Sequence, residues 1–173
     1  MGPVAVLGLG PSLSLFNPSE YTWSIGVNDI WKYHQTDVIV CLDRISIFKG
    51  ERLVTIENSK PKVFYSQVAN WSCMPGFQKL DLTTYYPEHE VKLEIPQIYK
   101  SYCSPFVACQ VAYKHYRATE IHVYGVDLVD HPNLTAKICD KIKIHFKNLA
   151  VALEREGCKL VVFGDGILKD ITN

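Results

Sequence analysis

The chain has no excess of charge of either sign: 18 lysines and arginines stand against 18 aspartates and glutamates. No net field therefore draws it to nucleic acid or to an anionic membrane, and neither is expected as a partner. It has no apolar run near the ~20 residues that a membrane-spanning helix needs. No basic segment leads into a secretory-type apolar stretch, since Val4–Leu7 is too short for one, so no export signal is expected. The cysteines (Cys41, Cys73, Cys103, Cys109, Cys139 and Cys158) include no Cys-x-x-Cys pair. That spacing argues against a zinc site and a disulfide framework, and fits reduced thiols in a cytoplasm. In that setting the sequons Asn70-Trp71-Ser72 and Asn133-Leu134-Thr135 read as coincidence. No repeat, low-complexity tract or domain boundary interrupts the 173 residues, which are expected to form a single domain, 1–173.

What is present is an alternation of strand and helix patterns. Strand-like runs occur at Val4–Leu7, Tyr21–Val27, Asp37–Leu42, Lys62–Tyr65, Glu120–Tyr124 and Lys159–Phe163. Several are unbroken Val/Ile stretches, as in parallel strands covered on both faces. Asp29–His34 suits a short helix. Ser104–Tyr116 suits a full one, with Ser104 placed to cap it and Pro105 at the first helical position. Ala136–Glu156 is the longest helical pattern, with Ile138, Ile142, His145, Leu149 and Leu153 facing the sheet and Gly157 ending it. Ile45–Ser59 is ambiguous, and Asn70–Ile95 reads as an irregular excursion. The expected fold is a Rossmann-like α/β domain, its mainly parallel sheet carrying helices on both faces and its first strand in the centre.

The opening stretch carries the most chemistry. Val4-Ala5-Val6-Leu7 runs into Gly8-Leu9-Gly10-Pro11-Ser12-Leu13. Gly8 and Gly10 permit a tight turn and a close approach of backbone to phosphate, and Ser12 is placed to cap a following helix. The third glycine of the usual dinucleotide turn is replaced by Leu13, so this is not a standard NAD site.

The other strands also end on small or hydrogen-bonding residues: Asn28, Asp43, Ser66, Gly125-Val126-Asp127 and Gly164-Asp165. In a parallel sheet those ends share one edge, where ligands bind. The pattern suits a nucleotide, with single Asn and Asp residues for ribose and base edges; ordinary loop polarity is the plain alternative.

These motifs, in this order, resemble a Rossmann-like superfamily. The resemblance rests on Gly8-Leu9-Gly10-Pro11-Ser12-Leu13, Gly26-Val27-Asn28, Asp37–Asp43, Ser104–Tyr113 and Glu120–Leu128. The superfamily holds the bacterial lipooligosaccharide sialyltransferases and the 6-hydroxymethylpterin diphosphokinase-like proteins with their glycosyltransferase relatives. In the sialyltransferase branch the resemblance implies a CMP-sugar donor and a glycan or small-molecule acceptor. Gly8, Gly10, Pro11 and Ser12 would lie at the phosphate, Asn28 at the nucleotide or donor, and Gly125 and Asp127 along the ribose and base. Ser104 and Pro105 would add contacts from a helix start. By order along the chain, the implied general base is His131, whose imidazole suits the task; a loop histidine without a role is the alternative. Two departures stand out: Val129–Thr135 leaves no room for that branch's long lid, and Lys100 is the nearest cation to the place of its arginine.

Three readings stay open. The first is a small sialyltransferase-like glycosyltransferase that moves a sugar from a nucleotide to an acceptor hydroxyl. The second is a diphosphokinase-like enzyme of nucleoside triphosphates, for which Asp43 and Asp127 would hold magnesium; no other cofactor or metal is expected. The third is a nucleotide sensor or sponge without turnover. An oligomer is left open.

Overall fold

The structure is a computed structural model describing residues 2–86, 88–129 and 134–172. Seven parallel strands form its main sheet: β1 (Val4–Leu7), β2 (Trp23–Val27), β3 (Val38–Val40), β4 (Val63–Ser66), β5 (Phe77–Lys79), β8 (Glu120–Tyr124) and β9 (Lys159–Val162). Their order is β5-β4-β3-β2-β1-β8-β9. The first strand is thus interior, with four strands on one side and two on the other, and it pairs directly with both β2 and β8. A separate parallel pair joins β6 (Leu82–Thr84) to β7 (Ile98–Lys100).

Alternation along β1 divides the interior into two cores. Val4 and Val6 face one side, where α2 (Ser104–Tyr116) and α3 (Ala136–Arg155) bury Phe106, Val107, Val111, Ile142, Phe146 and Leu149. Ala5 and Leu7 face the other, packed by Leu13, Phe16, Ile30, Ile56 and Trp71 from short 3-10 turns and α1 (Glu51–Glu57). Helices therefore lie on both faces, with the two long ones on the same face.

The differences from the expected elements have local causes. The ambiguous stretch resolves into a 3-10 turn, Ile45–Ile47, followed by α1. The supposed excursion contains β5 and β6, three-residue strands too short to show a period. Ser104 does not cap α2: Cys103 is the N-cap, without a side-chain bond, and Ser104 and Pro105 are the first two helical residues. At α3, Thr135 caps through its side chain, which accepts from the Ile138 amide.

Candidate functional site

The topology picks out one place on the sheet. From β1 the chain passes to β2 on one side, whereas from β8 it passes through α3 to β9 on the other. The carboxyl ends of β1 and β8 are thus a switch point in strand order, where α/β folds leave a crevice. Gly8, Gly10, Pro11 and Ser12 follow β1, and Gly125 and Asp127 follow β8. Asn28 follows β2, Asp43 lies just past β3, and Ser104 and Pro105 open α2.

At these strand ends the two turns are knotted together. Gly8 N donates to Tyr124 O and Gly10 N to Gly125 O, both at 2.8 Å. The amide and hydroxyl of Ser12 donate to Asp127 Oδ2 at 3.0 and 2.9 Å, and Ser12 Oγ accepts from Gly125 N at 2.8 Å. Ser12 and Asp127 are both buried. The glycines have a structural reason here. A Cβ on Gly8 would collide with Gly125 O, and one on Gly10 would lie 2.5 Å from Asp127 Oδ2. Gly125 has φ +68° and its own Cβ would meet Gly8 O at 2.5 Å. The loop after β9 closes over the same spot, since a Cβ on Gly164 would lie 2.5 Å from Ser12 Cβ. Asp165, in that loop, is exposed.

This geometry changes what the opening turn can do. Its Ser12 donors, which sequence reasoning assigned to phosphate, already hold a carboxylate in the place an anion would take. Leu9, Gly10 and Pro11 form the accessible rim.

The turn leaving β2 is the other informative feature. Asn28 has φ +52°, which a non-glycine residue adopts at a cost of about 1 kcal/mol. Its amide oxygen is buried and, among the described residues, without a hydrogen-bond partner. Three residues on, the Trp31 indole N–H is in the same condition. The turn is rigidly held: Arg52 from α1 grips the buried Asp29 carboxylate through Nε at 3.0 Å and through its terminal nitrogen at 2.7 Å. Ile30 fills the space over Gly26. Orphaned buried polar atoms are uncommon in folded proteins, and each calls for a reason, a role at a functional site among them. Trp31, Asp29 and Arg52 were not legible as site-forming residues; only the Gly26-Val27-Asn28 end was.

The remaining expected residues are less committed. The Asp43 side chain is exposed, while its carbonyl accepts from the Trp71 indole at 2.8 Å. Ser104 is half-buried and Pro105 buried at the start of α2. His131 lies outside the described residues. Among the described residues no group of three acidic, histidine or cysteine side chains is placed to hold a metal. Burial drives the Cys41 thiol far above its ordinary range, consistent with an inert core cysteine. No described helix is long and apolar enough to cross a membrane. An open cleft of about 600 Å³ between Leu93, Pro96, Arg117 and Glu156 lies at the opposite end of α2. There Lys114 is already held by the carbonyls of Ile95 and Gln97, at 2.6 Å each. We place the candidate site at the switch point instead, because topology and the orphaned atoms of Asn28 and Trp31 coincide there.

Comparison with solved structures finds the same fold in a sialyltransferase. The crystal structure of a mutant of the alpha-2,3/8-sialyltransferase CstII superposes with a TM-score of 0.58 at 13% identity, over 98% of this chain and 84% of that one. The likeness is of fold, and it falls on the sialyltransferase side of the resemblance rather than on the diphosphokinase side. No protein-family model and no curated protein matches the chain.

Proposed function

We propose that this protein binds a nucleotide sugar across the carboxyl edge of its sheet, with a CMP-sugar favoured, and transfers the sugar to an acceptor hydroxyl. The observation that carries this reading is Asn28: a strained backbone holds an unpartnered amide oxygen at the strand end beside the switch point. A ribose hydroxyl or base amine supplies the donor this oxygen lacks. Leu9, Gly10 and Pro11 make the rim against which phosphate lies, and Ser104 offers a hydroxyl at the start of α2. Ser12 and Asp127 act one step back, fixing the rim. The sialyltransferase-like fold supports the donor class.

In the transfer, a base takes the proton of the acceptor hydroxyl as its oxygen bonds to the anomeric carbon and the nucleotide phosphate leaves with the bonding electrons. His131 is the proposed base. No metal is needed for a nucleoside monophosphate leaving group in this scheme, whereas diphosphate transfer calls for magnesium.

A thermal-shift and titration screen against CMP, UDP, GDP, ATP and their sugar conjugates, with and without magnesium, tests the reading. Stabilisation by CMP and CMP-sugars without magnesium supports it. Stabilisation only by ATP with magnesium turns it to the diphosphokinase-like reading, and tight CMP-sugar binding without transfer turns it to the sensor or sponge. Silence towards every nucleotide overturns it.

A further inference from the structure

A strap, Ser101–Tyr102–Cys103, joins β7 to the first turn of α2, the helix whose start the proposed site uses. Beneath it lies His145, midway along α3 and 2% exposed. Its Nδ1 is 2.6 Å from Ser101 Oγ, while Nε2 is buried and has no partner among the described residues. The Tyr102 ring lies nearly parallel to the imidazole at 6.4 Å, Tyr85 meets it edge-on at 4.9 Å, and Phe106 from α2 is at 5.7 Å. One turn back, Lys141 Nζ stands 5.7 Å from the centre of the Tyr102 ring, which is itself exposed.

Packing alone does not call for an imidazole here. An apolar side chain would fill the same enclosure without stranding a nitrogen, and a stranded buried polar atom is destabilising. The compensation is the short bond to Ser101, the residue with which the strap leaves β7 on its way to α2.

We propose that His145 is a positioning residue: its bond to Ser101 fixes the strap, and through it Tyr102 and the start of α2, in the geometry that receives the nucleotide-linked ligand. This rests on the function proposed above. It also makes the site sensitive to acid. The titratable groups around the ring are Lys141 on its own helix, Tyr85 from the segment after β6, and Tyr102 from the strap; α2 contributes the uncharged Phe106. Burial first, and Lys141 second, disfavour the imidazolium and hold the group below its ordinary value, with no carboxylate acting against them. In either tautomer the neutral ring serves Ser101 with one nitrogen. A second proton places a charge inside an aromatic enclosure beside an ammonium, and the strap loosens.

The test uses CMP as probe, titrated from pH 8 to pH 5, while the backbone amide signals of Tyr102 and Ser104 are followed by NMR. Expected is a CMP affinity that falls as pH drops below about 6.5, with both amides tracking the His145 titration. His145→Phe keeps the ring but loses the bond; it should bind CMP about 3–10-fold more weakly at pH 7.5, with a flat pH profile. His145→Asn, which keeps a hydrogen-bonding group near the Nδ1 position, should recover most of the affinity but not the pH dependence. Ser101→Ala repeats the loss without touching the core, should His145→Phe fail to fold. Parent-like affinity and pH profile in Ser101→Ala, or amides indifferent to the His145 titration, overturn the proposal. If the parent binds no CMP at any pH, the functional reading falls, and the amide arm still decides whether the clamp exists.

Discussion

Ser12 and Asp127 stand 115 residues apart in the chain and share two hydrogen bonds, amide and hydroxyl of the one to a single carboxylate oxygen of the other. The same hydroxyl takes the Gly125 amide. A side chain that reads from sequence as a helix cap or phosphate contact is in fact the tie between the ends of β1 and β8. Ser12→Ala removes one donor from a buried carboxylate and leaves a buried amide without its acceptor. The stranded amide costs about 1–3 kcal/mol and the lost bond to the carboxylate about 1.5–3, so the variant should lose about 2.5–6 kcal/mol in urea denaturation. An unchanged midpoint would show that the tie is not holding the switch point together.

The same geometry sets the fate of Gly10→Val. A turn at the sheet edge looks tolerant of side chains, but here the added Cβ would meet Asp127 Oδ2 at 2.5 Å and Gly125 O at 2.9 Å. Overpacking of this kind costs about 1–3 kcal/mol, and more where backbone must yield. The variant should melt several degrees below the parent before any ligand is added. A parent-like melting temperature would return the glycine to the role of giving a ligand room.

How far the fold could be read from the sequence follows from which signals are local. β1, β8, α2 and α3 are legible because runs such as Val4–Leu7 and stripes such as Ile142 and Leu149 record burial directly. β5, β6 and β7 are not, because a three-residue strand shows no period and their pairing is long-range. The strand-end residues were found, since Gly, Asn and Asp punctuate strands. Their partners were not: nothing local links Ser12 to Asp127, Arg52 to Asp29 or Ser101 to His145. The strained φ of Asn28 was equally invisible in a sequence that places no glycine there.

Acid stability should show two steps. The imidazole of His145 is held below its ordinary value by burial and then by Lys141, so at falling pH the unfolded chain takes up a proton first. Stability is therefore full above about pH 6.5 and declines as pH falls from there towards the folded-state value. His115 is shifted the same way by burial and Lys114, but it is exposed and adds little. At Asp37, burial works to raise the carboxyl, yet Lys62 and the Ser24 donors outweigh it and leave it below its ordinary value. That contribution is present above about pH 4 and is lost as pH drops through the folded-state value. Melting temperatures from pH 8 to pH 3 should fall in both windows, and His145→Asn should flatten only the upper one. A single transition near pH 4 that is identical in the two proteins would contradict the assignment of the upper step to His145.

For transfer itself, His131→Ala is expected to lose roughly 10²–10⁴-fold in rate while keeping nucleotide affinity, the range that general-base catalysis supplies. His131→Asn should behave alike, being near in shape but unable to accept the proton. Full transfer by both variants would remove His131 from the chemistry.

Asn28 gives the most incisive test, because stability and function should move in opposite directions there. Its φ of +52° is one that glycine adopts freely, so Asn28→Gly relieves backbone strain. It also removes a buried amide oxygen that has no partner, and with it a desolvation penalty. Set against these gains is the larger backbone entropy of glycine in the unfolded chain, of roughly 0.5–1 kcal/mol. The variant should therefore be at least as stable as the parent. If the amide oxygen awaits a donor from ribose or base, the same variant should lose about 3–10-fold or more in CMP affinity, the worth of one hydrogen bond in a dry site. Asn28→Ala should show the loss of affinity together with a loss of stability, since alanine keeps the strain. An Asn28→Gly protein that melts lower than the parent and binds CMP equally well would mean that Asn28 serves the fold, and the nucleotide would have to be sought elsewhere on the sheet edge.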